Sequence, residues 1–321
     1  MSHALAIAAE APSSFEHVVC YACGSTKSQK LLDAEDDLTG KPGRFTFVRC
    51  LECGLAYQNP RLTIDRIADY YDDQYIAHRR KRNWGVLTPL VERAMNKLDT
   101  DKDRLTARYL TLTASSRVLD VGCGAGTFLH RLRTLYHADV TGVDFKDLSS
   151  SPWLEAATFY HGTFDEAPIA EDRFDLVTMW HFLEHDYDPL LSLRTARRVM
   201  KRHGRLIVEV PRLDSRTFAW FGDRWPGLQA PQHTVLFDRD SLLGLVKQAG
   251  LEVVDYLPFG AFPAYFYVFT GVAFRMLKGR GLDLDRALIP YFLGRLLLSP
   301  MLVFERRLNL AMQTVICRRP S

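Results

Sequence analysis

Val118-Leu119-Asp120-Val121-Gly122-Cys123-Gly124-Ala125-Gly126-Thr127 is an apolar run that breaks into three alternate glycines and resumes as a helical pattern. A strand buried on both faces of an α/β sheet reads as such a run. Glycines at its end let bare backbone approach a ligand at the carboxyl edge, where open α/β sheets bind nucleotides. The next apolar run, Val140-Thr141-Gly142-Val143, ends on Asp144. A carboxylate at that offset suits hydrogen bonds from ribose hydroxyls. A dinucleotide fingerprint spaces its glycines as G-x-G-x-x-G to seat a pyrophosphate on a helix N-terminus. Here Gly122, Gly124 and Gly126 alternate, with Asp120 inside the strand, and the spacing argues against a nicotinamide-dependent oxidoreductase.

On either side of this run, strand-like segments alternate with helical patterns. The strands are Val118–Val121, Val140–Val143, Thr158–Tyr160, Phe174–Met179, Arg205–Val210, Leu251–Tyr256 and Thr314–Cys317. The helices are Asn96–Leu112, Thr127–Tyr136, Pro189–Arg202 and Arg239–Ala249, with a weak, serine-rich one over Lys146–Trp153. This alternation predicts an α/β fold, a doubly wound and mostly parallel sheet of seven strands covered on both faces. The 321 residues suffice for one large or two modest domains. A net charge of +3 is too small to argue for nucleic acid.

Four of the six cysteines form two knuckles, Cys20-x-x-Cys23-Gly24 and Cys50-x-x-Cys53-Gly54. Each aims two thiolates at one point, and the four together suit structural Zn²⁺ in a reducing compartment. Lys30–Leu32 and Phe45–Val48 read as strands joined by the turn-rich Thr39–Gly43, a small zinc ribbon. The ribbon lacks a dense basic face. The cluster His78-Arg79-Arg80-Lys81-Arg82 reads as a solvated helix end, and Asp69–Tyr75 as aromatics that either line a pocket or pack at the surface. The expected division is a disordered lead-in (1–16), with no basic region to make it a signal peptide, then the ribbon (17–60) and a helical linker or lid (61–113). The sheet domain (114–258), an apolar helical insertion (259–310), and a last strand and tail (311–321) follow.

The run Asp120–Gly126 resembles motif I of class I S-adenosylmethionine-dependent methyltransferases, in particular a bacterial branch with an N-terminal zinc ribbon. That branch is similar to ubiquinone-type O-methyltransferases and sugar C-methyltransferases, and the likeness covers roughly residues 18 to 257. The resemblance implies a Rossmann-like methyltransferase fold. It implies S-adenosylmethionine contacts at Asp120, Gly122, Gly124, Gly126, Asp144 and Trp180, with adenine near Phe164 and Asp165 in Gly162-Thr163-Phe164-Asp165. Many relatives carry an acidic residue directly after that glycine, where this chain has Thr163. Trp180-His181-Phe182-Leu183-Glu184-His185 stands where base-methylating relatives carry an N-P-P-Y type motif, so no nucleic-acid partner is expected.

His181-x-x-Glu184-His185 also fits the H-x-x-E-H of inverted zinc peptidases, but it leaves a buried strand beside a nucleotide-type site. Ubiquinone-type relatives have E-x-x-E-H here, linked to a divalent cation; this chain has His181 in place of the first glutamate. Two readings stay open, a cation at Glu184 and His185 or a capping role for both, and the second is preferred. Methyl transfer to a hydroxyl or acidic carbon needs a proton acceptor, for which His181 and His233 are the candidates. Two apolar stretches, Phe259–Leu277 and Leu288–Phe304, each hold one charge, Arg275 and Arg295. Prolines and a charged linker argue against spanning a bilayer. They read as a hairpin serving as lid, homodimer contact or ordinary packing, or lying in a membrane interface with Lys278, Arg280, Arg306 and Arg307 near anionic headgroups. The expectation is a cytoplasmic enzyme, with peripheral contact at the inner face of the membrane. It methylates oxygen or carbon of a small-molecule or lipid-like acceptor; the alternatives are a nucleic-acid methyltransferase and a non-catalytic membrane-associated scaffold.

Overall fold

The computed structural model of the chain describes residues 14–71, 85, 88–298 and 308–320. Residues 1–13 of the lead-in, the basic cluster 78–82, most of the tyrosine-rich segment and Arg306 and Arg307 lie outside the described residues. The end of the lead-in expected over 1–16 is a strand, Phe15–Glu16, paired antiparallel with Arg61–Leu62.

Thirteen strands are described. Five come first: β1 (Phe15–Glu16), β2 (Ser28–Ala34), β3 (Phe45–Cys50), β4 (Ala56–Gln58) and β5 (Arg61–Leu62). A short helix α1 (Ile64–Ile67) and the long α2 (Thr88–Thr106) lead to β6 (Arg117–Val121). Then come α3 (Thr127–Tyr136), β7 (Asp139–Asp144), β8 (Thr158–His161), β9 (Phe174–Trp180), α4 (Pro189–Val199), β10 (Met200–Pro211) and α5 (Arg216–Phe221). The chain closes with β11 (Val235–Leu236), α6 (Arg239–Gln248), β12 (Glu252–Leu257), α7 (Ala264–Leu277), α8 (Leu284–Leu297) and β13 (Met312–Arg318).

The main sheet has seven strands in the order β12-β13-β10-β9-β6-β7-β8. β6, β7, β8, β9 and β10 pair in parallel, and β13 runs antiparallel between β10 and β12. β6 is central, with β7 on one side and β9 on the other, so the connections leave it in opposite directions. That reversal opens a crevice at the carboxyl ends of β6 and β9. Val118, Leu119 and Val121 are fully buried, as a strand covered on both faces requires.

Local chemistry starts and stops the covering helices. Asp188 accepts the Leu191 N–H ahead of α4, with Pro189 in the first turn. Asp238 and Ser241 form a reciprocal capping pair ahead of α6.

Three expectations shift. The helix read as Pro189–Arg202 ends at Val199, and Met200 instead pairs with Phe174 to begin β10. Pairing overrides the helical propensity of Lys201 and Arg202, and Gly204 admits the irregularity, since a Cβ there would lie 2.5 Å from the Met200 side chain. The helix read as Asn96–Leu112 runs Thr88–Thr106, leaving Leu112 in the core. The weak helix over Lys146–Trp153 is a series of turns. One of these places Leu154 against Gly126.

The ribbon strands β2, β3 and β4 form an antiparallel meander, and β11 from the far side of the sequence adds its fourth strand. Cys20, Cys50, Leu55 and Tyr57 share one apolar core with Leu183, Leu190, Val235 and Phe237. The ribbon is thus built into the sheet domain. α7 and α8 form a hairpin of two 14-residue helices, and among the described residues no helix is long and apolar enough to cross a membrane. Gly271 brings α7 close to α5, because a Cβ there would meet Phe221 at 2.4 Å.

Candidate functional site

The three alternate glycines after β6 all have positive φ, +71°, +52° and +82° at Gly122, Gly124 and Gly126. Only glycine adopts this conformation at little cost. A Cβ on Gly122 would lie 2.9 Å from Phe182, and one on Gly126 2.3 Å from Leu154. Asp144 holds the turn: its carboxylate accepts the Gly124 N–H at 2.9 Å and the Lys146 N–H at 3.0 Å. Burial raises its pKa, and those two donors oppose the shift.

Asp120 is buried inside β6 and accepts the Thr178 hydroxyl at 2.6 Å. Burial lifts its pKa to about 6, against the pull of Lys102. The Lys102 ammonium lies 5.5 Å from the ring centroid of Trp180 and 5.6 Å from that of Phe128. It makes no ion pair within 4.0 Å among the described residues. Asp99, one turn earlier on α2, is buried, and its pKa is raised by that burial. Nothing in the sequence pattern singled out Lys102 or Asp99. Their signal is the register of α2 against β6 and β9, which a linear reading does not contain.

His181 follows Trp180 directly, with a positive φ of 56°. Its Nδ1 lies 3.4 Å from Glu184 Oε1 and its Nε2 3.3 Å from Glu209 Oε1, separations of ion pairs more than of close hydrogen bonds. Burial alone would lower the His181 pKa; the two carboxylates override it and lift it to about 9. Burial raises Glu209 in turn, but His181 and the N–H groups of Ala261 and Phe262 outweigh it and leave it below the ordinary range. Glu209 is fully buried at the end of β10 and also was not singled out by sequence.

His185 and His233 differ from His181. Their rings meet edge to face with centroids 4.4 Å apart, and burial pushes both pKa values down to about 3. The His233 Nδ1 lies 2.8 Å from the Gly227 carbonyl, so Nδ1 carries the proton and Nε2 keeps its lone pair. The His185 Nδ1 lies 3.0 Å from the Gln232 carbonyl and 2.9 Å from the Tyr71 hydroxyl. Glu184, His185 and His233 bring one ligand atom each within 4.8 Å of the others, and both Glu184 oxygens are buried without a hydrogen-bond partner.

These groups open onto one cavity of about 1480 Å³. Gly122, Cys123, Gly124, Trp180, His181, His185 and His233 line it, with Asp99 and Lys102. It continues to Phe262, Phe266, Phe269, Tyr291, Phe292 and Arg295 of the helical hairpin. Gly126, Asp120 and Asp144 sit behind this wall. Phe164 is buried in the core and Asp165 is exposed on the turn after β8; neither lines the cavity.

The four ribbon cysteines form a second cluster. All four Sγ atoms lie within 4.8 Å of one another, with Cys20–Cys53 at 3.4 Å and Cys23–Cys50 at 3.6 Å. A tetrahedral Zn²⁺ with sulfur at about 2.3 Å spaces its ligands at roughly 3.8 Å. The donor set and its spacing fit that ion.

A family model described as a methyltransferase domain matches residues 76–256. The ubiquinone biosynthesis O-methyltransferase of Cereibacter sphaeroides is 28% identical over 152 residues, 43% of this chain and 61% of that one. The 27-O-demethylrifamycin SV methyltransferase of Amycolatopsis mediterranei is 29% identical over 151 residues, 44% and 54% of the two chains. The chain therefore spans less than two thirds of these relatives' length. Among solved structures, geranyl diphosphate C-methyltransferase from Streptomyces coelicolor superposes with a TM-score of 0.54 at 10% identity, covering 80% of this chain and 97% of that one.

Proposed function

We propose that this chain, which belongs to the methyltransferase domain family, transfers a methyl group from S-adenosylmethionine to oxygen or carbon of a small-molecule acceptor with a large apolar part. The observation that carries this reading is the continuous cavity from the glycine turn, past Trp180 and the histidines, to the aromatic hairpin. Its volume exceeds the usual range for small-ligand pockets, of about 300–1,000 Å³, and so leaves space beside a bound donor. The curated relatives are named for methylation in ubiquinone biosynthesis and of a demethylrifamycin, which supports a small-molecule acceptor.

Bound S-adenosylmethionine supplies a methyl group activated on a sulfonium. Gly122 and Gly124 present bare backbone to the cavity, and Asp144, which holds their turn, takes the ribose hydroxyls. The expected adenine contact, through the side chain of Asp165 or the backbone of Phe164, belongs to the turn after β8, outside the cavity lining. Asp120 and Asp99 set negative charge where the α-ammonium lies, and Lys102 pairs the α-carboxylate. Trp180 closes the floor of the site. His233 takes the acceptor's proton at Nε2 as the new bond to the methyl carbon forms and that proton becomes strongly acidic, since burial holds the His233 pKa at about 3; its ring is held by the Gly227 carbonyl. His181 already carries a proton between Glu184 and Glu209, so its role is a fixed positive charge that orders the wall. Most of the rate enhancement then comes from holding donor and acceptor in line.

Cys20, Cys23, Cys50 and Cys53 are assigned to structural Zn²⁺. A second reading, favoured by the buried Glu184 oxygens that make no hydrogen bond, places a divalent cation on Glu184, His185 and His233. Mn²⁺ binding that Glu184→Gln abolishes, in protein with its ribbon metal retained, separates the two. The hairpin, with Met276, Ile289, Leu293 and Leu297 exposed and Lys278 and Arg280 in its linker, is assigned to peripheral contact with an anionic membrane. Vesicle flotation tests it. The primary test is calorimetric titration of the zinc-loaded protein with S-adenosylmethionine. Saturable binding is expected, and its absence from folded protein sinks the reading.

A further inference from the structure

The ribbon does more than hold a metal. Its strand β4 ends at Gln58, which is fully buried and faces the segment that delivers His233. The Gln58 backbone N–H donates to the Thr234 carbonyl at 2.8 Å. Its side-chain Nε2 donates to the Pro231 carbonyl at 2.8 Å and the His233 carbonyl at 2.5 Å. One carboxamide thus pins both ends of the Pro231–His233 turn. Directly afterward the chain pairs with β4, Val235 opposite Tyr57 and Leu236 opposite Ala56. The His233 ring has its own anchor, the Gly227 carbonyl.

We propose that Gln58 is a positioning residue: through these two hydrogen bonds the ribbon fixes the turn that carries His233, and so holds the imidazole where the Gly227 carbonyl selects its tautomer. The inference rests on the reading of His233 as the proton acceptor. The chemistry is specific to a carboxamide. Both acceptors are carbonyls, so the partner must present two N–H groups from one atom, and an NH₂ does so. A carboxylate of the same shape aims lone pairs at lone pairs, and a thioether leaves both carbonyls buried without a donor. An imidazole displaced by about 1 Å costs on the order of 100-fold in an aligned transfer, so this contact is worth fixing from outside the site. The arrangement also gives the ribbon a role unconnected with nucleic acid. Its metal knuckle, at Cys50 to Leu55, lies between the strands that bring Gln58 to the turn.

The test needs no acceptor. Full-length, zinc-loaded protein is labelled with ¹⁵N-histidine, and the His233 ring signals are assigned by their loss in His233→Gln. In the wild type, Nδ1 and Nε2 should give widely separated signals, those of a single tautomer protonated at Nδ1. In Gln58→Met that separation should collapse toward an average, and the backbone amide of residue 58, which donates to the Thr234 carbonyl, should exchange at least tenfold faster. Gln58→Glu serves as the second variant should Gln58→Met fold poorly. Val48→Ala, in the same core but without contact to the turn, loosens the ribbon generally and should leave the His233 signals split. Unchanged His233 signals in a folded Gln58 variant overturn the proposal, as does an equal collapse in Val48→Ala. Failure of S-adenosylmethionine to bind the wild type overturns the functional reading instead, and the two outcomes are read independently.

Discussion

Lys102→Gln should weaken binding of S-adenosylmethionine while sparing an analogue that lacks the α-carboxylate. Lys102 reaches the cavity from α2, with its ammonium over Trp180 and Phe128. A half-buried cation with no ion-pair partner among the described residues is set up for an incoming anion. A hydrogen bond to a charged group contributes about 1.5–3 kcal/mol. At 1.4 kcal/mol per decade, its loss raises Kd by about 10- to 150-fold. A bare Coulomb figure, about 4 kcal/mol at 4 Å and an effective dielectric constant of 20, bounds the effect from above. The substitution has a second consequence. Lys102 holds down the pKa of Asp120, which burial has lifted to about 6. Without the cation, Asp120 takes up its proton at higher pH and loses its hold on the α-ammonium. The affinity loss should therefore be larger at pH 6 than at pH 8, and the pH-dependent part should persist with the decarboxylated analogue. Calorimetry at constant salt with both ligands and both proteins gives the cycle. Equal losses for the two ligands at pH 8 would refute the carboxylate assignment, since a general disturbance of α2 does not distinguish them.

Other consequences follow from the same geometry. Gly126→Ala forces a side chain into positive φ and against Leu154, so it should cost about 1–3 kcal/mol in stability and weaken donor binding, both measurable in one thermal-shift series. His181 gains stability from its proton: its folded pKa, about 9, exceeds the ordinary 6.5, so the gain is full below pH 6.5 and fades as pH rises through 9. Denaturant unfolding should show a decline of up to about 3 kcal/mol across that window, and His181→Gln should flatten it. Chelation of the ribbon metal should lower the melting temperature of the whole protein in a single transition, because the knuckle shares its core with the sheet. A separate low-temperature transition by calorimetry would show the ribbon to be independent.

What the linear sequence discloses is what is local in sequence. The strand–glycine turn, Asp144 and the two cysteine knuckles each lie within a short window, and each carries its own physical signature. Seven strands and their helices were legible because hydrophobic runs and caps are local too. The helix over Pro189–Arg202 was read too long because a pairing partner, Phe174, lies elsewhere in the chain. Lys102, Asp99 and Glu209 carry no local signature for the same reason. Each is an ordinary charged residue until packing places it in or beside the cavity. His181 was read as a base from its position after β9, and its position is as read. Its protonation depends on Glu209, which the order of β9 and β10 supplies.

β11 illustrates how far that limit reaches into function. Two residues, Val235 and Leu236, carry too little pattern to be read as a strand, yet they complete a sheet begun some 200 positions earlier. Once paired, they bring Gln58 to the carbonyls around His233 and Arg49 to Asp238 at the start of α6. A sheet edge that was open in the ribbon is thereby closed by the domain it serves. An isolated ribbon of this size holds little apolar core and leans on its metal. Here it also shares the core of its neighbour, so the metal need not supply all of its stability. The two domains read from the sequence then exchange constraints in both directions. The sheet domain gives the ribbon its fourth strand, and the ribbon gives the site a fixed histidine. A variant that removes β11 pairing, Val235→Pro, should therefore disturb both the cysteine cluster and His233, whereas Gln58→Met should disturb His233 alone.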